Sequence, residues 1–345
     1  MAGAADLLFF FRRFVIVCLL IVTISSSIFA QQSAGFDQAL VLFRESHYAE
    51  AANAMARVLA DDPQRSEAHL YLARSFIKLG RYAEAAEALR RYTVAKPADE
   101  DGFYLLAYTL FRLGQAADSL RVYQEAVRIK QPAADDLKII ALDYGLLGDY
   151  ERSAEYLSEA LTLDPENLEA RYYLGRVYFT QNRFADAIEQ FQKVLSRDPR
   201  HIKAQNNLGQ ALEGRNDIEG AMAAYRRAIE LDRDSAKPSE LPLLNLGTLL
   251  LQRGEINEAL SMLMQAAAHN SSSAQVRFQL GKAYIRAGRL VEAEKELTSA
   301  IKLDPQDRGA HYQLGRLYLR LGKNELARQE LETFERLVKA VEEVK

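Results

Sequence analysis

The chain has 345 residues, with 44 lysines and arginines against 47 aspartates and glutamates, a net charge of −3 with histidine neutral. That balance gives no electrostatic footprint for nucleic acid, and a single cysteine excludes both a disulfide framework and a thiolate metal site. Length alone suggests about two domains, but the chain is periodic, and periodicity overrides that count.

Arg12 and Arg13 precede an apolar run from Phe14 to Ile24, followed by Ser25-Ser26-Ser27-Ile28-Phe29-Ala30 and then Gln31-Gln32. A basic flank, a short apolar core and a small residue before a polar start describe a secretory signal peptide over residues 1–30, with cleavage expected after Ala30. The core is 11 residues, against about 20 for a membrane span. Ile28 is bulky for a position three residues before a cleavage site, so the alternative is an inner-membrane anchor over residues 14–29. Val17 before Cys18 does not suit lipidation. Loss of Arg12, Arg13 and Asp6 leaves a cysteine-free chain with 42 basic and 46 acidic residues, expected in the periplasm or outside the cell.

Beyond the leader the chain restates one unit, seen most clearly from Leu168 to His201. Leu174, Gly175 and Tyr178 mark one face of a first helix, and Asn182 breaks the period. Ala187, Phe191 and Val194 then carry an apolar stripe into a second helix that Pro199 ends. Units start at Gln32, Ser66, Glu100, Ala134, Leu168, Ile202, Glu240, Ala274 and Arg308. Each step is 34 residues, except the 38 from Ile202 to Glu240. Position 8 holds only Ala or Gly, from Ala39 to Gly315, and position 20 only Ala or Ser, from Ala51 to Ala327. Small residues at both places imply two helices in close contact. One such hairpin cannot bury its own apolar face, so the units must stack.

This pattern resembles the tetratricopeptide repeat family, whose unit has a large aromatic at position 4, Leu-Gly at 7 and 8, Tyr at 11, Ala at 20 and Pro at 32. Leu174-Gly175, Leu208-Gly209, Leu246-Gly247, Leu280-Gly281 and Leu314-Gly315 match, as do Tyr178, Tyr284 and Tyr318. Pro63, Pro97, Pro165, Pro199 and Pro305 fall in place, and Pro132 is one residue late. The chain has no Trp, so position 4 is substituted, by residues such as Phe103, Leu137 and His311. The resemblance implies an all-α fold, a right-handed superhelical solenoid of tandem helix-turn-helix units. The expected organisation is repeats 1–6 over 32–239, including a longer 233–241 connection, then repeats 7–9 over 240–345.

Position 15 is Gly80, Gly114, Gly148, Asn182, Asn216, Gly254, Gly288 and Gly322 from the second unit on. A helix that stops and reverses there needs the left-handed region, which Gly reaches freely and Asn tolerates. The first unit has Ser46, and with Gly35 and Gln38 at positions 4 and 7 it reads as degenerate. Four extra residues around Arg233 and Lys237 make a longer loop, and Pro242 suits the first turn of the helix after it. From Glu325 to Lys345 the last helix outruns the unit, with Leu331, Phe334, Leu337, Val338 and Val341 on one face. Glu332, Arg336, Lys339 and Glu343 lie on the other, as a polar cap for a solenoid end requires.

No catalytic constellation emerges, so no enzyme, cofactor or metal is expected. His47, His69, His201, His269 and His311 fall in separate units without ligand spacing, and Ser75-Phe76-Ile77-Lys78 lies inside a repeat helix. The family resemblance implies instead that first helices line a concave face through positions 2, 5, 6, 9, 12 and 13. In repeats 3–5 that stripe offers Tyr104, Tyr108, Phe111, Tyr172, Tyr173 and Phe179, contact area of the kind interfaces favour. In repeats 6–9 position 6 reads Asn207, Asn245, Gln279 and Gln313, a row of amides suited to holding a peptide backbone. Eleven basic residues, among them Arg176, Lys282, Arg286, Arg316 and Arg320, face six acidic ones on the stripe. The Lys and Asn clamp by which some family members hold chaperone tails is absent: Lys138 is the only Lys at position 5, and Leu142 follows it at position 9.

The expected function is a non-enzymatic exported scaffold that binds a protein segment, an extended acidic or carboxylate-bearing peptide, in its groove. The alternatives are an envelope-assembly factor engaging polysaccharide or cell-wall machinery, or an accessory subunit of a separate enzyme. Nucleic acid is not an expected partner, and membrane is one only if the leader stays uncleaved.

Overall fold

The computed structural model describes residues 34–342. The expected leader, with Arg12, Arg13 and Cys18, lies outside the described residues, as does Glu343. Among the described residues all regular structure is helical, and the fold is an all-α solenoid of tandem helix-turn-helix units. No helix there is long and apolar enough to cross a membrane.

The helices run in pairs. The first pair is α1 (34–44) and α2 (Tyr48–Asp61), the second α3 (Ser66–Lys78) and α4 (Tyr82–Ala95), the third α5 (Glu100–Arg112) and α6 (Ala116–Ile129). Then come α7 (Ala134–Leu146) with α8 (Tyr150–Leu163), α9 (Leu168–Thr180) with α10 (Phe184–Arg197), and α11 (Ile202–Gly214) with α12 (Ile218–Asp232). The last three pairs are α13 (Leu241–Arg253) with α14 (Ile256–His269), α15 (Ala274–Arg286) with α16 (Leu290–Leu303), and α17 (Arg308–Arg320) with α18 (Asn324–Glu342). The chain forms two compact units, the first ending at Ala170 and the second beginning at Arg171.

Side chains at position 34 of the preceding repeat start several first helices. Asp99 accepts from the Asp101 N–H, Ser273 from Val276, and Asp307 from Ala310, satisfying orphan donors at the helix start. Each first helix ends at position 15 in the left-handed region, with φ from 57° at Asn182 to 84° at Gly254. Ser46 adopts the same conformation, with φ 66°, so the degenerate first repeat keeps the turn.

Within each pair, position 8 faces position 24. A Cβ on Gly175 would lie 2.7 Å from Phe191, and one on Gly281 2.7 Å from Leu297. Position 20 is sealed in every repeat from Ala51 to Ala327. Where it is serine, the hydroxyl donates across the hairpin to the position 8 carbonyl, Ser119 to Ala107 at 2.8 Å and Ser153 to Ala141 at 2.7 Å.

The 233–240 connection is fastened rather than loose. Asp232 is buried, and its carboxylate accepts the Ser239 N–H at 2.6 Å, while Pro242 sits in the first turn of α13. At the other end α18 is 19 residues long. Leu331, Phe334, Leu337 and Val338 are half-buried, and Glu332, Arg336 and Lys339 are exposed.

Candidate functional site

In the first unit the first-helix stripe bears Tyr104 and Tyr108, both half-buried. They border a cavity of about 470 Å³ with Asp101, Asp135 and Asp136. The Tyr104 hydroxyl donates to the Lys130 carbonyl at 2.6 Å, and burial, then Asp136 and Glu100, push it up to about 12. The Arg112 guanidinium donates to the Tyr108 oxygen at 2.6 Å. Lys138 bridges Asp135 at 2.9 Å and Glu169 at 2.8 Å, so its charge is already matched. This part of the stripe is aromatic and mixed in charge, with Arg74 and Lys138 beside the three aspartates.

In the second unit Tyr172, Arg176 and Asn207 come together. The Asn207 amide donates to the Tyr172 hydroxyl at 3.1 Å, and Arg176 lies over the Tyr172 and Tyr173 rings, 5.9 and 5.7 Å from their centroids. Asn206 is the hub of this cluster: it is buried, its amide donates to Asn207 at 3.4 Å, and its carbonyl oxygen accepts from Asn245 at 3.0 Å. Two of the four row amides are therefore partly engaged with neighbours. Gln279 differs. It is 6% exposed, and its carbonyl oxygen has no hydrogen-bond partner.

Gln279 shares α15 with Lys282 and Arg286. Lys282 lies 5.3 Å from the centroid of Phe278, and burial, then the neighbouring Arg286, hold its pKa below the usual lysine value. One repeat on, Gln313 is half-buried and Arg316 and Arg320 are exposed, with Arg316 over Tyr312 at 5.7 Å. An aromatic at position 5 under a cation at position 9 thus recurs in repeats 5, 8 and 9, an i, i+4 pairing that holds each cation against a ring face.

Position 4 carries polar pairs that the sequence reading missed. The His311 imidazole lies 2.6 Å from Glu330 and 3.2 Å from the Pro305 carbonyl, and His69 lies 3.1 Å from the Pro63 carbonyl. Arg277 pairs with Glu296 at 2.7 Å. The signal was available in part: three of these residues stand where the family has a large aromatic, and their partners Glu296 and Glu330 are both at position 23. A second missed residue is Asp143, fully buried with neither carboxylate oxygen partnered. The Ser75 hydroxyl donates to the Tyr71 carbonyl at 2.8 Å.

Family models described as tetratricopeptide repeat match residues 36–100, 140–199 and 174–236, and a second such model matches 250–307 and 287–335. No curated protein sequence matches this one. Among solved structures, a tetratricopeptide repeat protein from Parabacteroides merdae is 18% identical with TM-score 0.60, over 74% of this chain and 98% of its own. The Cut9–Hcn1 hetero-tetramer of the APC/C is 16% identical with TM-score 0.58, over 81% and 54%. Yeast Tom70 is 18% identical with TM-score 0.55, over 86% and 62%. At these identities the likeness is one of fold. Paired helices, the left-handed reversal at position 15 and the family matches along the chain agree, and this chain belongs to the tetratricopeptide repeat family.

Proposed function

We propose that this chain is a non-enzymatic, exported scaffold whose first-helix stripe in repeats 6–9 holds an extended, acidic peptide. The observation that carries this is Gln279: a buried carbonyl oxygen with no donor, on a helix that also presents Lys282 and Arg286. A buried acceptor left unmade costs about 1–3 kcal/mol, and a turn of the Gln279 side chain toward a strand laid along the stripe lets a backbone N–H relieve it. Carboxylates on the same strand meet the Lys282 ammonium and the guanidinium groups of Arg286, Arg316 and Arg320, which present paired donors to them. Tetratricopeptide repeat folds serve protein–protein interaction, which supports the class of ligand.

The test is fluorescence titration of the chain with a labelled decapeptide of alternating Glu and Ala, against its Gln counterpart. The Glu peptide should bind tighter, and Arg316→Glu should mainly slow its association and flatten the salt dependence. Gln279→Leu, which removes the orphaned acceptor, should weaken both peptides. Equal binding of the two peptides, or wild-type binding by both variants, overturns the assignment. Export is tested separately by N-terminal sequencing of protein from the envelope fraction, where an intact Met1 would refute cleavage after Ala30.

A further inference from the structure

The junction of repeats 3 and 4 carries a second pocket, of about 440 Å³, away from the first-helix stripe. Its walls come from α6 and α8, from Gln131 and the late Pro132 between α6 and α7, and from positions 4, 7 and 11 of α7. Three tyrosines border it: Tyr123 at position 24 of repeat 3, and Tyr144 and Tyr156 at positions 11 and 23 of repeat 4. Tyr156 is the only tyrosine at position 23 in the chain, so no other pair of repeats can build this trio. The Tyr144 and Tyr156 rings stack, 5.4 Å between centroids and 7° between planes. Tyr123 is buried, and its hydroxyl has no hydrogen-bond partner.

The charge around these rings has one sign. Glu159 borders the pocket and has no cationic partner among the described residues. The one cation in the lining, Arg128, is answered by Glu125 at 2.7 Å. Burial, then Asp136, Tyr104, Tyr156 and Glu159, push the Tyr123 hydroxyl up, and burial, then Tyr144 and Glu159, push that of Tyr156 up. Both phenols therefore stay neutral in a field of carboxylates. Outside the pocket Arg152 lies 5.4 Å from the Tyr144 centroid, which shows the sign of charge these ring faces draw.

We propose that this pocket binds a small organic cation, an amine or quaternary ammonium with an apolar body, as a free molecule. The positive head meets the tyrosine rings and the Glu159 carboxylate, and the body packs toward the half-buried Leu120 and Val127. The pocket volume lies within the range of about 300–1,000 Å³ that small-molecule sites occupy. The site shares no residue with the stripe of repeats 6–9, and it does not depend on the peptide reading.

The experiment is calorimetric titration of the full chain with three probes of similar body, benzyltrimethylammonium, benzyl alcohol and phenylacetate. The cation should bind about tenfold more tightly than the alcohol, and phenylacetate more weakly than either. Glu159 is exposed, so Glu159→Gln should leave the circular dichroism spectrum and the binding of benzyl alcohol unchanged while removing most of the preference for the cation. Tyr156→Leu should weaken the cation several-fold. Both variants should bind the Glu/Ala decapeptide as the parent chain does, which separates this site from the stripe. Equal binding of cation and alcohol, no binding of any probe, or cation binding unchanged in both variants overturns the proposal. Tighter binding of phenylacetate would assign the pocket to Arg128 and an anion, and overturn it as well. Sedimentation with phosphatidylcholine vesicles is the second arm: cosedimentation that Glu159→Gln abolishes would assign the cation to a lipid headgroup and overturn the free ligand, and vesicles left in solution without the chain support it.

Discussion

Asp143 offers a sharp test of how the stack of repeats is held. It occupies position 10 of repeat 4, where the preceding repeats have Ser75 and Thr109 and the following one Val177. Ser75 and Thr109 are buried, and each donates its hydroxyl to the carbonyl four residues back, at 2.8 and 2.7 Å. Asp143 has no such outlet. Both of its oxygens are buried without a partner, and the Ser119 hydroxyl nearby gives slight relief because it donates to the Ala107 carbonyl. Desolvation therefore raises the carboxyl from its ordinary 3.8 to about 7. The unfolded chain releases this proton near 3.8 and the native chain holds it to about 7, so in that window folding takes up a proton. Stability falls as pH rises through it and levels off above. The full fall is on the order of 4 kcal/mol. Asp143→Thr, which copies Thr109, should stabilise the first unit at pH 8.5 by roughly 2–4 kcal/mol, and the gain should shrink by about 3 kcal/mol at pH 5. Urea unfolding at both pH values measures the gain, and amide exchange over α6–α8 localises it, since repeat arrays open in parts. A gain equal at the two pH values, or a loss at pH 8.5, would refute the reasoning.

Ser46→Gly should stabilise the first hairpin by about 1 kcal/mol, because Ser46 holds φ 66° at a cost Gly does not bear; protection of α1 and α2 amides reports it. Arg277→Ala should cost roughly 3 kcal/mol in urea, because it strands Glu296, which is 7% exposed, without its counter-charge; restoring stability by also changing Glu296→Leu would confirm that cause. Gly209→Ala should cost about 1–3 kcal/mol, as its Cβ would stand 2.5 Å from the Tyr225 ring, and thermal unfolding of the second unit checks it.

The repeat was legible because each signal answers a local demand. A reversal that requires positive φ leaves Gly or Asn behind, and it did so at every position 15 after the first repeat. Helix starts fall at the first residue of the unit, from Ser66 to Arg308, except α13, which begins one residue late at Leu241 behind the insertion. The site was legible only in its residue types. Spacing placed Asn207 and Asn245 on one stripe, but no spacing rule says that Asn206, one residue away, turns to bond both. Nor does it say that Lys138 finds Glu169 a repeat later. Contacts between side chains some 30 residues apart depend on how neighbouring pairs are stacked, and the unit pattern is silent on that. The insertion was visible as four residues too many; that it carries Lys237 to the edge of a pocket was not.

Position 8 shows how a pattern can be right and still incomplete. Reading it as small treats Ala and Gly as equivalent, yet repeats 3 and 6 both set a tyrosine opposite it at position 24, and the two tyrosines fare differently. Against Gly209, the Tyr225 ring lies where a Cβ would be, and its hydroxyl reaches Glu213 at 2.9 Å. Against Ala107 that space is occupied. The Tyr123 ring packs edge-on to Tyr104 at 5.1 Å instead, and its buried hydroxyl has no partner. One methyl group is the difference in what each ring faces. The orphaned hydroxyl of Tyr123 and the orphaned carboxylate of Asp143 both lie where repeat 3 meets repeat 4, the junction at which Pro132 comes one residue late. Departures from the repeat and unsatisfied polar groups therefore gather at one place in the first unit, and it is there that the stack should open first.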